Sequence, residues 1–407
     1  MVIGTDIAVW GDLDAKLETL ATDMAAWDAH PRIDAAEEAK IKDALQFFGH
    51  TTEAENLIVA GVDGTGDFPA LSYADSFVYL TIAQGTCYQN DATHGLRELD
   101  AVPTLVEFTW LALDDAQKDQ HLDASFEALS GSPINDLIDA SDYRELKAGT
   151  SGRTCPVSTL ADKLIRPKAS DTGNIQIQLR STAELGAALR LIKSDPTPSY
   201  VLMDSTFSLP FVSRHDMSLY FEHVKRMCCV EALSREVGFF ALSKSHGLPA
   251  VPLIERFAAV ISGLEEGTKA EHWYLRIPDS TADGWSLSIL EGRNVPPPGA
   301  KSYLVRFHKN TPVMRLDMDI KYWEGIIKGE SDAETITNEQ KLFGCLDYAG
   351  HDQRAYGYPY PIKAGHDRAS LPYAVRERLR KKIIDTAVSK GMRPGLFTNV
   401  SMATGHE

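Results

Sequence analysis

A chain of 407 residues can bury a large core, and 43% hydrophobic with 24% charged residues is the composition of a folded globular protein, not a disordered one. A formal charge of −16 argues against a protein that coats nucleic acid through surplus lysine and arginine, while leaving room for an enzyme with a local basic channel beside an acidic, cation-binding patch. No apolar run is long enough to span a membrane, no basic segment leads into an apolar one at the N-terminus, and Cys87, Cys155, Cys228, Cys229 and Cys345 show no paired zinc spacing, which predicts a cytoplasmic protein with reduced thiols.

Apolar residues at three- and four-residue spacings predict helices over 12–28 and 35–48. The run Leu57 to Val62, closed by Asp63-Gly64, reads as a buried strand stopped at a turn; strands are also predicted over 77–83 and 105–113. From about 114 to 172 the pattern is helical and polar, with loop chemistry at Gly131-Ser132-Pro133 and Gly149-Thr150-Ser151-Gly152, and reads as an insertion. Next come a predicted strand (175–179), a helix (182–193), the strand Tyr200 to Met203 ending at Asp204, a helix (216–236), a strand (238–242) and a helix (252–262). The last third predicts strands over 302–307 and 313–318, helices over 321–327 and 338–348, a Gly/Tyr/Pro loop over 355–365, and a helix over 371–389 whose basic run Arg376 to Lys382 forms its wet face. Strands alternating with helices predict an α/β fold with a mixed central sheet flanked by helices.

Asp63 and Asp204 share one context, a carboxylate at the C-terminal end of a buried strand, where it needs a cation or hydrogen-bond donors. Each also reads as an ordinary turn former. Glu184 lies in the first turn of the predicted helix before the Asp204 strand, a position favoured by the helix dipole as well as by metal binding. Hard divalent ions take several oxygen ligands converging from different segments, and these three acids are candidates. Lys244 follows a buried strand, where its ammonium can meet a phosphate or a carboxylate, or simply remain solvated. Tyr358 and Tyr360, set between Pro359 and Pro361, can stack on bases or bond a phosphate, or form a packed aromatic clasp. His366 can ligate metal or carry a proton. No Walker loop, strand-linked GxGxxG or GxSxG elbow is present.

Taken in order, Val59-Ala60-Gly61-Val62-Asp63-Gly64, Glu184, Val201-Leu202-Met203-Asp204-Ser205, Leu242-Ser243-Lys244-Ser245 and Gly357-Tyr358-Pro359-Tyr360-Pro361 running to His366 resemble the NurA family of nucleases. The resemblance spans about 57–390. It departs from the family over 85–173, and at Asp67, an acid where a basic or neutral residue is usual. It implies a ribonuclease H-like core, manganese- or magnesium-supported cleavage of single- and double-stranded DNA, a homodimer, and a HerA-type hexameric ATPase that feeds DNA in for end resection. On that mapping Asp63, Glu184, Asp204 and His366 ligate metal, Lys244 assists the reaction, and Tyr358 or Tyr360 contacts substrate. Residues 1–56 then form an N-terminal helical segment and 57–407 the nuclease domain. Two other readings use the same residues: an inactive adaptor that positions DNA for a ring ATPase, and a chemically identical effector of phage defence.

Overall fold

The computed structural model describes residues 7–26, 33–50, 54, 56–66, 69–73, 76–91, 95–100, 102–113, 115–140, 142, 166–168, 171–207, 219–248, 251–265, 267–278, 296–297 and 299–398. Asp67, Cys155, the loop Gly149 to Gly152 and the first residues of the helix expected over 216–236 lie outside them.

In chain order the elements are α1 (Ile7–Ala26), α2 (Ala35–Ala44), β1 (Leu45–Phe47), β2 (Ile58–Thr65), β3 (Pro69–Tyr73), β4 (Ser76–Asp91), β5 (Gly95–Glu98), β6 (Leu105–Ala112), α3 (Lys118–Ser130), α4 (Ile134–Ala140), α5 (Thr172–Ile192) and β7 (Tyr200–Met203). They continue with α6 (Tyr220–Ser234), β8 (Gly238–Ser243), α7 (Val251–Ile261), β9 (Trp273–Arg276), β10 (Ala300–Arg306), β11 (Met314–Asp319), a helical turn Ile320–Tyr322 passing into a π-turn Trp323–Ile327, α8 (Asp332–Gly350), α9 (Tyr360–Ala369), α10 (Tyr373–Ser389) and β12 (Phe397–Thr398).

All strands join one sheet in the order β1-β9-β10-β11-β8-β7-β2-β4-β3-β12, with β5 and β6 also on β4. The centre is ribonuclease H-like: β2, β4 and β6 form an antiparallel meander, and β7 and β8 extend it in parallel from β2. Period-two alternation splits these strands between two apolar layers. Ala60, Val62, Val201, Met203, Phe239 and Ala241 pack under α3, α5 and α6, while Val59, Leu202, Phe240 and Leu242 pack under α8 and α9. Both faces are covered, which explains the continuous apolar runs of the parallel strands. A third cluster joins α2 and α7 to β9 and β10.

Three expectations are corrected. Residues 175–179 are not a strand but the first turns of α5, capped by Asp171, whose side chain accepts from Asn174 N. The period-two pattern there is deceptive, for Ile175 and Leu179 are fully buried while Ile177 is 55% exposed, an i, i+4 helical face. The loop over 355–365 ends early, because Pro361 sits in the first turn of α9, where a missing N–H costs nothing. The helix over 35–48 stops at Ala44, where the chain turns into β1 and pairs with β9, a strand absent from the expectations along with β3 and β5. The apolar stripe of the final helix is only partly buried.

Candidate functional site

The parallel register sets the site. Val62 is opposite Met203, so Asp63 and Asp204 follow on neighbouring strands, one residue past that pair, on strands about 4.8 Å apart. Val62 and Met203 face the α5 layer, which turns the two aspartates toward α9. Met203 in turn pairs with Ala241, which carries Lys244 past the end of β8 to the same rim.

Helix α9 reaches this rim because glycines let it lie on the sheet. A Cβ on Gly61 would stand 2.3 Å from Ile362 N and from Pro361 C, and one on Gly365 would stand 3.2 Å from Asp63 N. Thr86 Oγ1 donates to Pro361 O at 2.7 Å and locks the helix start onto β4. So held, α9 presents His366, whose Nδ1 is 2.8 Å from Asp63 Oδ2; Asp63 Oδ1 accepts from Gly64 N at 2.7 Å.

On the neighbouring strand Lys244 Nζ lies 2.8 Å from Asp204 Oδ2 and 5.3 Å above the ring of Tyr358. The Tyr358 hydroxyl oxygen is buried, close to Asp204 but without a hydrogen bond of normal geometry. Burial, reinforced by the charges of Asp204 and Asp63, holds its pKa well above the usual phenol range.

Glu184 arrives from the other layer. Its Cγ and Oε1 would lie 2.9 and 3.0 Å from a Cβ on Gly64, so the second glycine of this strand makes room for it. It sits mid-helix in α5, not in a first turn, and Arg180 Nε is 3.6 Å from its Oε1 one turn earlier. Asp63, Asp204, Lys244, His366 and Tyr358 thus come together, with Glu184 adjacent across the strand. Tyr360 does not join them; its ring is 5.3 Å from that of Tyr88, with the Arg354 guanidinium 3.6 Å above it. Arg180 was missed although its i, i+4 spacing to Glu184 was visible, and Gly61 and Gly365 carry no chemical signature of their role.

Three acids thus stand beside three bases, His366, Lys244 and Arg180. The donors suit a hard divalent cation in kind, being carboxylate oxygens that arrive from β2, from the end of β7 and from α5. They are not drawn together around one point: among the described residues one group of three has its donor atoms within 4.8 Å of one another, and it is His50, Asp347 and His351.

No family model matches the chain, and no curated protein matches it in sequence. Among solved structures it is similar to the NurA nuclease from Sulfolobus solfataricus, at 11% identity and TM-score 0.47 over 95% of this chain and 98% of that one. A NurA bound to dAMP and manganese is similar at 12% identity and TM-score 0.35 over 97% and 99%. An endonuclease V from Bacillus subtilis follows at 8% identity and TM-score 0.31 over 85% and 91%. The likeness to the NurA nucleases is one of fold, and it runs over nearly the whole length of both chains.

Proposed function

We propose that this chain is a divalent-metal-dependent nuclease that hydrolyses DNA phosphodiester bonds at the Asp63–Asp204 rim. The observation that carries the reading is the emergence of Asp63 and Asp204 from neighbouring parallel strands, with His366 and Lys244 against them. Asp63, Asp204 and Glu184 would hold Mn2+ or Mg2+, whose contribution there is Lewis acidity toward a phosphodiester. Lys244, half exposed beside Asp204, is placed to meet a non-bridging phosphate oxygen. His366, oriented through Nδ1 by Asp63 and 56% exposed, can deliver a proton to the leaving oxygen. Tyr358, buried beside the aspartates, leaves substrate contact to the exposed groups of the rim.

The order of motifs from Val59 to His366 supports the finer reading: DNA end processing, in repair or phage defence, as a cytoplasmic homodimer fed by a HerA-type hexameric ATPase. No helix among the described residues is long and apolar enough to cross a membrane. Asp63→Ala assayed with Mn2+ on linear DNA is the direct test, and retained cleavage refutes the assignment. One observation favours an inactive, DNA-positioning adaptor: each acid already has a basic neighbour. Mn2+ calorimetry separates the two readings, because only the nuclease has a site lost in both Asp63→Ala and Asp204→Ala.

A further inference from the structure

A second cluster lies outside this rim, where the chain leaving β1, the turn before β9 and the C-terminal end of α8 meet. His50 Nδ1 is 2.8 Å from Asp347 Oδ2, and the His50 and His351 rings are 4.0 Å apart between centroids. One donor atom from each of His50, Asp347 and His351 falls within 4.8 Å of the others, a span that one ion with bonds of about 2.0–2.2 Å bridges with small side-chain rotations. Asp347 is buried and both histidines are exposed, which gives an anchored anionic ligand, two adjustable imidazoles and an open side for water.

His272 completes the arrangement. Its Nε2 is 3.3 Å from Asp347 Oδ1, the oxygen His50 does not use, and that nitrogen is buried without a hydrogen bond of normal geometry. A partner on the second oxygen of a ligating carboxylate is how metal sites fix their ligands. Two imidazoles and one carboxylate also differ in kind from the all-oxygen rim, and select a softer ion.

We propose that His50, Asp347 and His351 bind a divalent transition-metal ion of borderline softness, Zn2+ in kind, and that His272 positions the carboxylate ligand. Such an ion ties the segment after β1 to the end of α8. There His351 begins the loop to Tyr358, with its ring 4.9 Å from that of Tyr356.

The test is Zn2+ calorimetry on the full chain, stripped with chelator and dialysed, in an Asp63→Ala/Asp204→Ala background that silences the rim. One saturable Zn2+ per chain is expected, accompanied by a rise in Tm. His50→Ala and His351→Ala, both at exposed positions, are expected to abolish the binding and the rise. His272→Gln is expected to weaken affinity by about tenfold to a hundredfold, the usual cost of losing a partner of a metal ligand. A visible Co2+ spectrum of the same background, lost in His351→Ala, reports nitrogen ligation without relying on stability. Absence of saturable Zn2+ binding, or undiminished binding in both alanine variants, overturns the site; an unchanged affinity in His272→Gln overturns the positioning role. None of these readouts depends on cleavage, so the site stands or falls separately from the nuclease reading.

Discussion

Two sets of strand-borne aspartates occupy the same sheet and are treated in opposite ways. Asp317, on β11, is fully buried and saturated: Arg315 donates at 2.8 and 2.7 Å, Ser302 Oγ at 2.6 Å and Phe207 N at 2.9 Å. Asp319 beside it meets Arg226, itself bidentate on Asp142. Asp63 and Asp204 instead keep 15% and 21% of their side chains exposed, and their basic neighbours His366 and Lys244 are half in solvent. A carboxylate closed off by rigid donors holds the fold, whereas one left with mobile counter-charges can exchange them for a ligand.

The sharpest way to break this contrast is to remove the saturated acid. Asp317→Ala leaves the Arg315 charge buried without its carboxylate and is expected to lower unfolding stability by about 3–5 kcal/mol, measured by denaturant titration. Asp63→Ala should invert the outcome, with cleavage in Mn2+ down about a thousandfold, roughly 4 kcal/mol on the barrier, and stability changed by no more than about 1 kcal/mol. Equal stability losses in the two variants would erase the distinction. Gly61→Ala probes what places His366: with α9 forced away from β2, a stability loss of about 1–3 kcal/mol is expected together with reduced cleavage. Gly365→Ala, whose nearest contact would be 3.1 Å, should show a weaker form of both.

The smallest effect is on pH. His246 is held neutral by burial, with Arg315 nearby, so its pKa lies below the ordinary 6.5. Its Nε2 is 2.9 Å from Val313 O, and its Nδ1 accepts from Leu248 N. Since the folded pKa is the lower one, its contribution to stability is present above pH 6.5 and is lost as pH falls through the folded value. His246→Gln should flatten that acid-side slope in a series of unfolding curves.

The rim was readable in the sequence because a parallel strand buried on both faces must be a short apolar run, and a carboxylate closing it stands out. Two such runs, Leu57 to Val62 and Tyr200 to Met203, by themselves point to the partnership of Asp63 and Asp204. What escaped depended on distance along the chain or on faces that local pattern does not separate. Ile175 to Leu179 satisfies both a period of two and an i, i+4 face, and only the exposure of Ile177 decides between them. Tyr358 and Tyr360 are two residues apart in one motif, yet the start of α9 between them sends one to the aspartates and the other to Tyr88. Asp317 has one partner in its own strand, Arg315 two residues earlier, but the donors that complete its shell come from β10 and from the segment after β7, which local pattern does not show. His50 and His272 likewise lie too far along the chain from Asp347 and His351 for any of the four to suggest the whole cluster.

The bare contact of α9 with β2 through Gly61 and Gly365 has one more consequence. Because main chain rests on main chain there, the separation of His366 from Asp63 is a property of two backbones and not of the bulky residues filling the layers around them. Core substitutions that swap one aliphatic for another can accumulate without detuning that pair. A related chain could therefore diverge until little of its interior is recognisable and still present the same two groups at the same reach.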